Sequence, residues 1–431
     1  MTDMWTQSDR TDDEDRRRRA EAIVAEAEAG LRPAFSTIEA VELENVRRVL
    51  DAFRRHRVGE GHFAGSTGYG YHDLGRETLE AVFADVFGGE AAIVRPHLLS
   101  GTHAIAASLF GLLLPGDNLV IATGEPYDTL RPVIGPEGRG QGNLLDYGIA
   151  VRIVPLRPDG GIHLDKMRAA IDERTAVVFF QRSRGYQERR SFFVAELAEA
   201  IRAAKMKNAA VTAVVDNCYG EFVEPIEPLH AGADVLAGSL IKNPGGGLVR
   251  VGGYIVGRRA AIERIAARLV APGIGLAVGA APGGWREFYQ GLFLAPHVVA
   301  EALKGAHLTA AVMQAVGFPV DPPPGAPRTD LIQSISFGDR ETLLRFAEAV
   351  QAHSPVESFV RPTPGAMPGY RDPVVMAAGT FVQGASIELS ADAPLRPPYR
   401  GYLQGGLMYA HVKLALIGIL VRLAEAGRIA L

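Results

Sequence analysis

With 431 residues, 47% hydrophobic and 22% charged, the chain is long enough for two or three domains around a large core. A formal net charge of −4 leaves no footprint for nucleic acid, and a single cysteine, Cys218, excludes an intramolecular disulfide and suits a reducing compartment. The best apolar run, residues 414–421, is too short to span a membrane, and charge runs stand where a signal peptide carries its apolar segment, so a cytoplasmic protein is expected.

Residues 1 to about 19 are polar, with Asp12-Asp-Glu-Asp15 before Arg16-Arg-Arg-Arg19, and read as a frayed tail leading into a helix over 20–29. Ser36-Thr37 are expected to cap a second helix with Ile38, Val41, Val46, Val49, Leu50 and Phe53 on its apolar face. A glycine-rich loop over 59–71 carries His62, Tyr69 and Tyr71, and a helix is expected over 73–87. Strand and helix signals then alternate. Strands are expected at 91–95, 118–122, 151–155, 176–180, 211–215, 235–238 and 252–257. Helices are expected from about 101 to 114 and over 164–171 and 192–205. Near-continuous apolar strands between helices imply a mostly parallel sheet covered on both faces. Residues 272–297 break the pattern with prolines and glycines and read as a functional loop or inter-domain crossing, with helix resuming near 297. Strands at 330–337, 374–376 and 381–389, a Pro-rich loop over 361–373 and helices at 340–352 and 407–425 make a smaller α+β domain. The expected division is 1–60 as tail and helical arm, 61–296 as large domain and 297–431 as small domain.

Two stretches carry the chemistry. Val214-Val-Asp216-Asn-Cys-Tyr-Gly220 is an apolar strand ending in a carboxylate, and Ala237-Gly-Ser-Leu-Ile-Lys242-Asn-Pro-Gly-Gly-Gly247 sets one lysine in a Ser/Gly-rich turn. Pyridoxal phosphate (PLP) requires an amine for its aldehyde, an acid for its ring nitrogen and donors for its phosphate. Lys242 and Asp216 suit the first two needs. Gly101 and Thr102, in a Ser-Gly-Thr turn opening a helix, together with the Ser239 hydroxyl, suit the third. Tyr127 follows a strand end and can stack on a flat ring. His103 reads either as packing over that ring or as a satisfied core histidine. Arg371, Arg396 and Arg400 are candidates for a substrate carboxylate. Cys218 reads as a small buried filler and not as a nucleophile. No metal-ligand spacing, GxSxG or Walker sequence is present.

Together these pieces resemble the fold-type-I PLP enzymes of the Cys/Met-metabolism group, which includes cystathionine lyases. Within it they most resemble the methionine γ-lyase and aluminium-resistance branch. The resemblance covers about residues 36–431. It is carried by His62-Phe-Ala-Gly-Ser-Thr-Gly-Tyr-Gly-Tyr71, Val94-Arg-Pro-His97, Ser100-Gly-Thr-His-Ala104, Pro126-Tyr-Asp-Thr-Leu130, Val215-Asp-Asn-Cys-Tyr-Gly-Glu-Phe222, Gly238-Ser-Leu-Ile-Lys-Asn-Pro-Gly-Gly246, Ala377-Ala-Gly-Thr-Phe381 and Ser386-Ile-Glu-Leu-Ser-Ala391. It implies an α/β fold of the aspartate aminotransferase type, with a mostly parallel large domain and a smaller α+β C-terminal domain. It implies Lys242 as the lysine that carries PLP, Asp216 as partner of the ring nitrogen, Tyr127 as the stacking aromatic, and Gly101, Thr102 and Ser239 as phosphate ligands. Tyr69 or Tyr71 would reach a neighbouring subunit's phosphate, in a homodimer or homotetramer with shared active sites. Asn243 replaces the aromatic that follows the lysine in better-known lyases, and the arginine that follows their N-terminal tyrosine is missing, with His72 no replacement for it. The expected reaction is β- or γ-elimination on a small sulfur-containing amino acid. Aminotransferase, racemase or aldolase chemistry at the same site, or a PLP-binding protein with a homeostatic role, are the alternatives.

Overall fold

Helix begins further upstream than the polarity of the N-terminus implied. In the computed structural model, which describes residues 7–135, 140, 142–367 and 370–431, α1 spans Gln7–Ala29. Opposite charges one turn apart supply the reason. Arg19 pairs with Asp15 at 2.7 Å and Arg17 with Glu21 at 3.1 Å, spacings that bring side chains together on a helix surface. The first six residues of the expected tail lie outside the described residues. α2 (Arg32–Arg55) also starts early. Ser36 and Thr37, expected to cap it, lie within it, and Thr37 Oγ1 donates back to the Pro33 carbonyl at 3.1 Å. Pro33 sits in the first turn, where a missing N–H costs no helix bond.

The chain divides into two compact units, one of Val41–His297 and one of Met1–Ala40 with Val298–Leu431. Taken in chain order, the first holds the latter part of α2, then α3 (Leu74–Phe87), β1 (Ala91–Arg95), α4 (Gly101–Leu112), β2 (Asn118–Ile121), the short α5 (Arg131–Ile134), β3 (Ala150–Ile153) and α6 (Leu164–Ala170). β4 (Thr175–Gln181), α7 (Val194–Lys207), β5 (Thr212–Asp216), β6 (Val235–Ser239), β7 (Gly253–Gly257) and α8 (Arg259–Leu269) follow. The seven strands form one sheet in the order β1-β7-β6-β5-β4-β2-β3. β3, β2, β4, β5 and β6 pair in parallel, whereas β7 runs antiparallel to both β6 and β1. A turn joins β6 to β7 without the crossover helix that a parallel pair requires. Val214, Val215, Val235, Leu236 and Ile255 are wholly buried, the result of covering a sheet on both faces.

The 59–73 loop is docked, not loose. Gly279 N donates to the Tyr69 carbonyl at 2.9 Å and Trp285 N to the Phe63 carbonyl at 3.1 Å. Trp285 Nε1 donates to Asp73 Oδ1 at 3.0 Å. Two buried arginines complete the clamp. Arg76 donates to the carbonyls of Gly70 at 2.7 Å, Gly279 at 3.3 Å and Ala277 at 3.3 Å. Arg95 donates to the Leu276 carbonyl at 3.1 Å while pairing with Glu80 at 2.8 Å. Gly70 has φ +64, and a Cβ there would lie 2.7 Å from Ala280 N, so the close approach admits no side chain. The 272–297 stretch is thus in part the seat of this loop. α9 (Arg286–Ala315) starts well before 297 and continues through Pro296.

The second unit carries α1, the C-terminal part of α9, β8 (Val320–Asp321), β9 (Gln333–Ser336), α10 (Arg340–Ala352), β10 (Val374–Ala377), β11 (Ser390–Pro394), β12 (Arg400–Gln404) and α11 (Tyr409–Glu425). Its five strands, ordered β10-β11-β12-β9-β8, are all antiparallel. Phe346, Val350, Leu416 and Leu420 are buried in its core. The strand expected at 381–389 does not form. The N–H groups of Phe381 and Val382 bind the Glu388 carboxylate at 2.8 and 2.9 Å instead of a ladder, and the strand begins at Ser390. Residues 368 and 369 of the expected Pro-rich loop lie outside the described residues. Among the described residues, no helix is long and apolar enough to cross a membrane.

Arg76→Met would leave the Gly70, Gly279 and Ala277 carbonyls without their donor. The expected loss is about 3 kcal/mol in denaturant unfolding, with faster amide exchange at 66–71 and 276–280 and unchanged exchange in β4 and β5. Unchanged exchange in the two loops would show that the arginine does not hold them.

Candidate functional site

Parallel strands deliver their last residues to one edge of the sheet, the usual place for a ligand crevice in an open α/β fold. Gln181 at the end of β4 stands opposite Asp216 at the end of β5, and Asp216 stands opposite Ala237 in β6. The N-terminus of α4 meets the same edge. Ser100 caps it by accepting the His103 N–H at 3.0 Å. A Cβ on Gly101 would lie 3.1 Å from Cys218 Sγ and 3.2 Å from Ser239 Cβ, so this helix end rests directly on the ends of β5 and β6. The first N–H groups of a helix have no intrahelical acceptor and favour an anion.

Tyr127 joins this group through its hydroxyl, 3.1 Å from Thr102 Oγ1, which lies 3.2 Å from Thr129 Oγ1. Gln181 orients the Tyr127 backbone by accepting its N–H at 3.0 Å. Lys242 follows β6, and its Nζ lies 3.8 Å from the centroid of the Tyr219 ring. Tyr219 holds φ at +71, a left-handed conformation uncommon outside glycine. Asp216 Oδ1 accepts the Cys218 N–H at 3.1 Å.

Burial governs the electrostatics. It raises the Asp216 pKa, against the Cys218 N–H, Lys242 and Arg189, which favour the carboxylate. Burial, with Asp216 and Cys218 adding to it, pushes the Tyr127 phenol well above its ordinary value. Cys218 is likewise pushed well up, by burial first and then by Asp216, so its thiol stays protonated and a poor nucleophile. Burial alone would lower Lys242, but Tyr219, Cys218 and Asp216 outweigh it and hold the ammonium above its usual range.

The structure therefore brings together Lys242, Asp216, Tyr127, Gly101, Thr102 and Ser239. PLP fits this set: Nζ of Lys242 for its aldehyde, the Asp216 carboxyl for its ring nitrogen, and for its phosphate a helix N-terminus cleared of side chain at Gly101, beside the Ser239 hydroxyl. His103 is half-buried and its Nδ1 accepts the Leu99 N–H at 3.1 Å, so it is not a core histidine. Tyr69 and Tyr71 lie on the docked loop, 71% and 59% exposed, with their rings 5.4 Å apart. Arg371 and Arg396 belong to the second unit, where Arg396 pairs with Asp372 at 3.2 Å and Arg371 is exposed.

Sequence reasoning missed three residues here. Tyr219 was legible only as a neighbour of Asp216, because nothing local announces its left-handed backbone. Gln181 ends a strand in which every other interior position is apolar, and that was a usable signal. Glu221 is wholly buried, and its Oε1 accepts from Tyr254 Oη at 2.7 Å. Burial pushes its pKa up to about 8.

Known proteins match this arrangement along nearly all of its length. The Bacillus subtilis protein YnbB is 53% identical over 392 residues, covering 91% of this chain and 93% of its own. A solved Listeria monocytogenes structure whose name links it to aluminium resistance is 49% identical, with a TM-score of 0.91 over 92% of this chain and 98% of that one. A Clostridium novyi structure named as a carbon-sulfur lyase involved in aluminium resistance is 43% identical, with a TM-score of 0.91 over 98% and 100%. The fold is accordingly the fold-type-I architecture expected from the sequence. The methionine gamma-lyase family model matches residues 20–424, and the chain belongs to that family.

Proposed function

We propose that this protein is a PLP-dependent carbon–sulfur lyase that releases a thiol from a sulfur-containing amino acid. The observation that carries the reading is the convergence of Lys242, Asp216 and the N-terminus of α4 at the ends of β5 and β6. Family membership and the carbon-sulfur lyase name of the Clostridium novyi relative support it. When bound, PLP supplies an electron sink for the pair left at the substrate Cα.

Each residue then has a definite task. Lys242 Nζ would hold the cofactor and would be the base for the Cα proton. Asp216 keeps a proton on the ring nitrogen, and a cation there offsets the burial that otherwise raises its own pKa. Gly101 and Thr102 N–H groups and the Ser239 hydroxyl hold the phosphate. Tyr127, oriented by Thr102 and Gln181 and kept protonated by burial, would stack on the ring and would offer its phenol proton to the departing thiolate. Arg396 or Arg371 takes the substrate carboxylate as a bidentate pair. The 61–296 segment is the cofactor domain and 297–431 the smaller one. Tyr69 and Tyr71, exposed on a loop held rigid from beneath, are presented to the phosphate of a second copy, which makes the active species a homodimer or homotetramer. Its place is the cytoplasm, where Cys218 stays reduced.

Borohydride reduction of the PLP-loaded protein should leave the pyridoxyl group on the peptide containing Lys242, read by mass spectrometry. Label on another lysine, or on none, would overturn the site. Cystathionine, methionine, homocysteine or cysteine should yield a 2-oxo acid and ammonia without an added acceptor. Product that needs an acceptor 2-oxo acid would mean transamination, and no product on any of them would favour a non-catalytic role. Active protein should sediment as a dimer or larger, and a fully active monomer would rule out the shared site.

A further inference from the structure

Among the residues that these tasks leave unused, Tyr219 lies against the reactive amine. Lys242 Nζ sits 3.8 Å from the centroid of its ring, well inside the range at which an aromatic face attracts a cation. Two turns bring the pair together. The first, after β5, is clamped by the wholly buried Asn217, Arg182 and Glu227. Asn217 Oδ1 accepts from Arg182 at 2.8 Å, and its Nδ2 donates to Glu227 at 2.9 Å. Its backbone N–H donates to the Ala237 carbonyl of β6 at 3.0 Å, and its carbonyl accepts the Gly220 N–H at 2.9 Å. A Cβ at Gly220 would lie 2.5 Å from Arg182 Nη1, so the turn has no slack on that side. Within this clamp Tyr219 is held at φ +71. A left-handed tyrosine is strained and persists only where its surroundings over-determine it. The second turn, after β6, carries Lys242 and is stapled to the first. Asn243, wholly buried, donates through Nδ2 to the Glu221 carbonyl at 3.0 Å. The residue that departs from the better-known lyases thus fixes the lysine turn to the tyrosine turn.

We propose that Tyr219 is a positioning residue for Lys242, the face of its ring serving as the seat of the free lysine ammonium. The proposal rests on the reading of Lys242 as the reactive amine. When that amine takes the Cα proton, the C–H bond breaks, the proton goes to Nζ and the electron pair stays with the carbon. Nζ thereby turns from neutral to cationic. An aromatic face draws a cation far more than a neutral amine, so the seat favours the outcome of the transfer and keeps Nζ in one place while it holds the proton. The other titratable groups that act on Lys242 or are acted on by it are Cys218 and Asp216 on the turn after β5, Glu221 two residues beyond Tyr219, and Tyr127 after β2. Burial works against the ammonium, and Tyr219 comes ahead of Cys218 and Asp216 among the groups that oppose burial.

The test is competitive labelling of the full-length chain, freed of PLP, with acetic anhydride from about pH 7 to about pH 11, a range that brackets the ordinary lysine titration. The Lys242 peptide is read by mass spectrometry against a free-amine reference. Tyr219→Phe keeps the ring face and should label within about twofold of wild type. Tyr219→Leu keeps an apolar side chain without a π face. It should label about tenfold faster than Tyr219→Phe at neutral pH, with the ratio shrinking at the alkaline end as both amines become neutral. A merely structural or shielding role would give a ratio that does not change with pH. That result, or a Tyr219→Leu protein that labels like Tyr219→Phe, would overturn the proposal. If Tyr219→Leu does not fold, a trifluorinated phenylalanine incorporated at position 219 decides, because it keeps the shape of the ring and drains its face of electrons. It should label several-fold faster than Tyr219→Phe at neutral pH, and equal rates overturn the seat. Failure of borohydride to fix PLP on Lys242 would overturn the cofactor reading, while the labelling ratios would still decide whether Tyr219 seats the ammonium.

Discussion

Everything at the candidate site depends on the parallel register of β4, β5 and β6. That pairing sets Gln181, Asp216 and Ala237 side by side and delivers Ser239 and then Lys242 to the same edge. A slip of one residue in β5 would turn Asp216 to the opposite face, and the helix end that rests on Cys218 and Ser239 would lose its seat. The register is held by the wholly buried Val214, Val215, Val235 and Leu236, whose apolar surface has nowhere else to go. The geometry of the candidate site is thus a consequence of core packing.

Burial around that edge also decides which groups keep their protons. Asp216, Glu221, Cys218, Tyr127 and Tyr254 are all pushed upward, with burial the largest cause in each case. Lys242 moves upward too, against its own burial, because its neighbours are acids. A low-dielectric pocket furnished with proton donors and a single amine is poised for chemistry in which a proton leaves carbon and another reaches a departing group. It offers no group suited to act as a nucleophile through sulfur.

A second device operates away from this edge. Arg76 and Arg95 spend their guanidinium donors on backbone carbonyls of the 66–71 and 276–279 segments. Buried arginine is expensive to desolvate and is retained where its several donors satisfy several acceptors at once. Here they hold a glycine-rich loop that would otherwise lack a fixed shape, and with it two exposed tyrosines.

Local pattern carried much of this. Apolar runs bounded by turn residues marked the strands of the large sheet, Asp73 and Ser100 marked the starts of α3 and α4, and the strand-end aspartate with a lysine in a glycine turn marked the chemistry. These features are legible because periodicity and capping act over a few residues. What the chain alone left open were properties set at a distance. Helix α1 extends through a charge run because its pairs close only once the helix exists. The stretch at 381–389 is a loop because Glu388 takes its N–H groups, and α9 starts early because the 276–285 segment before it is docked on a loop two hundred residues upstream. Glu221 and Tyr219 carry no role in the sequence beyond their place in the 215–222 motif. Only tertiary packing removed Glu221 from water and laid Tyr219 against the lysine, because burial and backbone strain belong to the assembled core and not to any short stretch of chain.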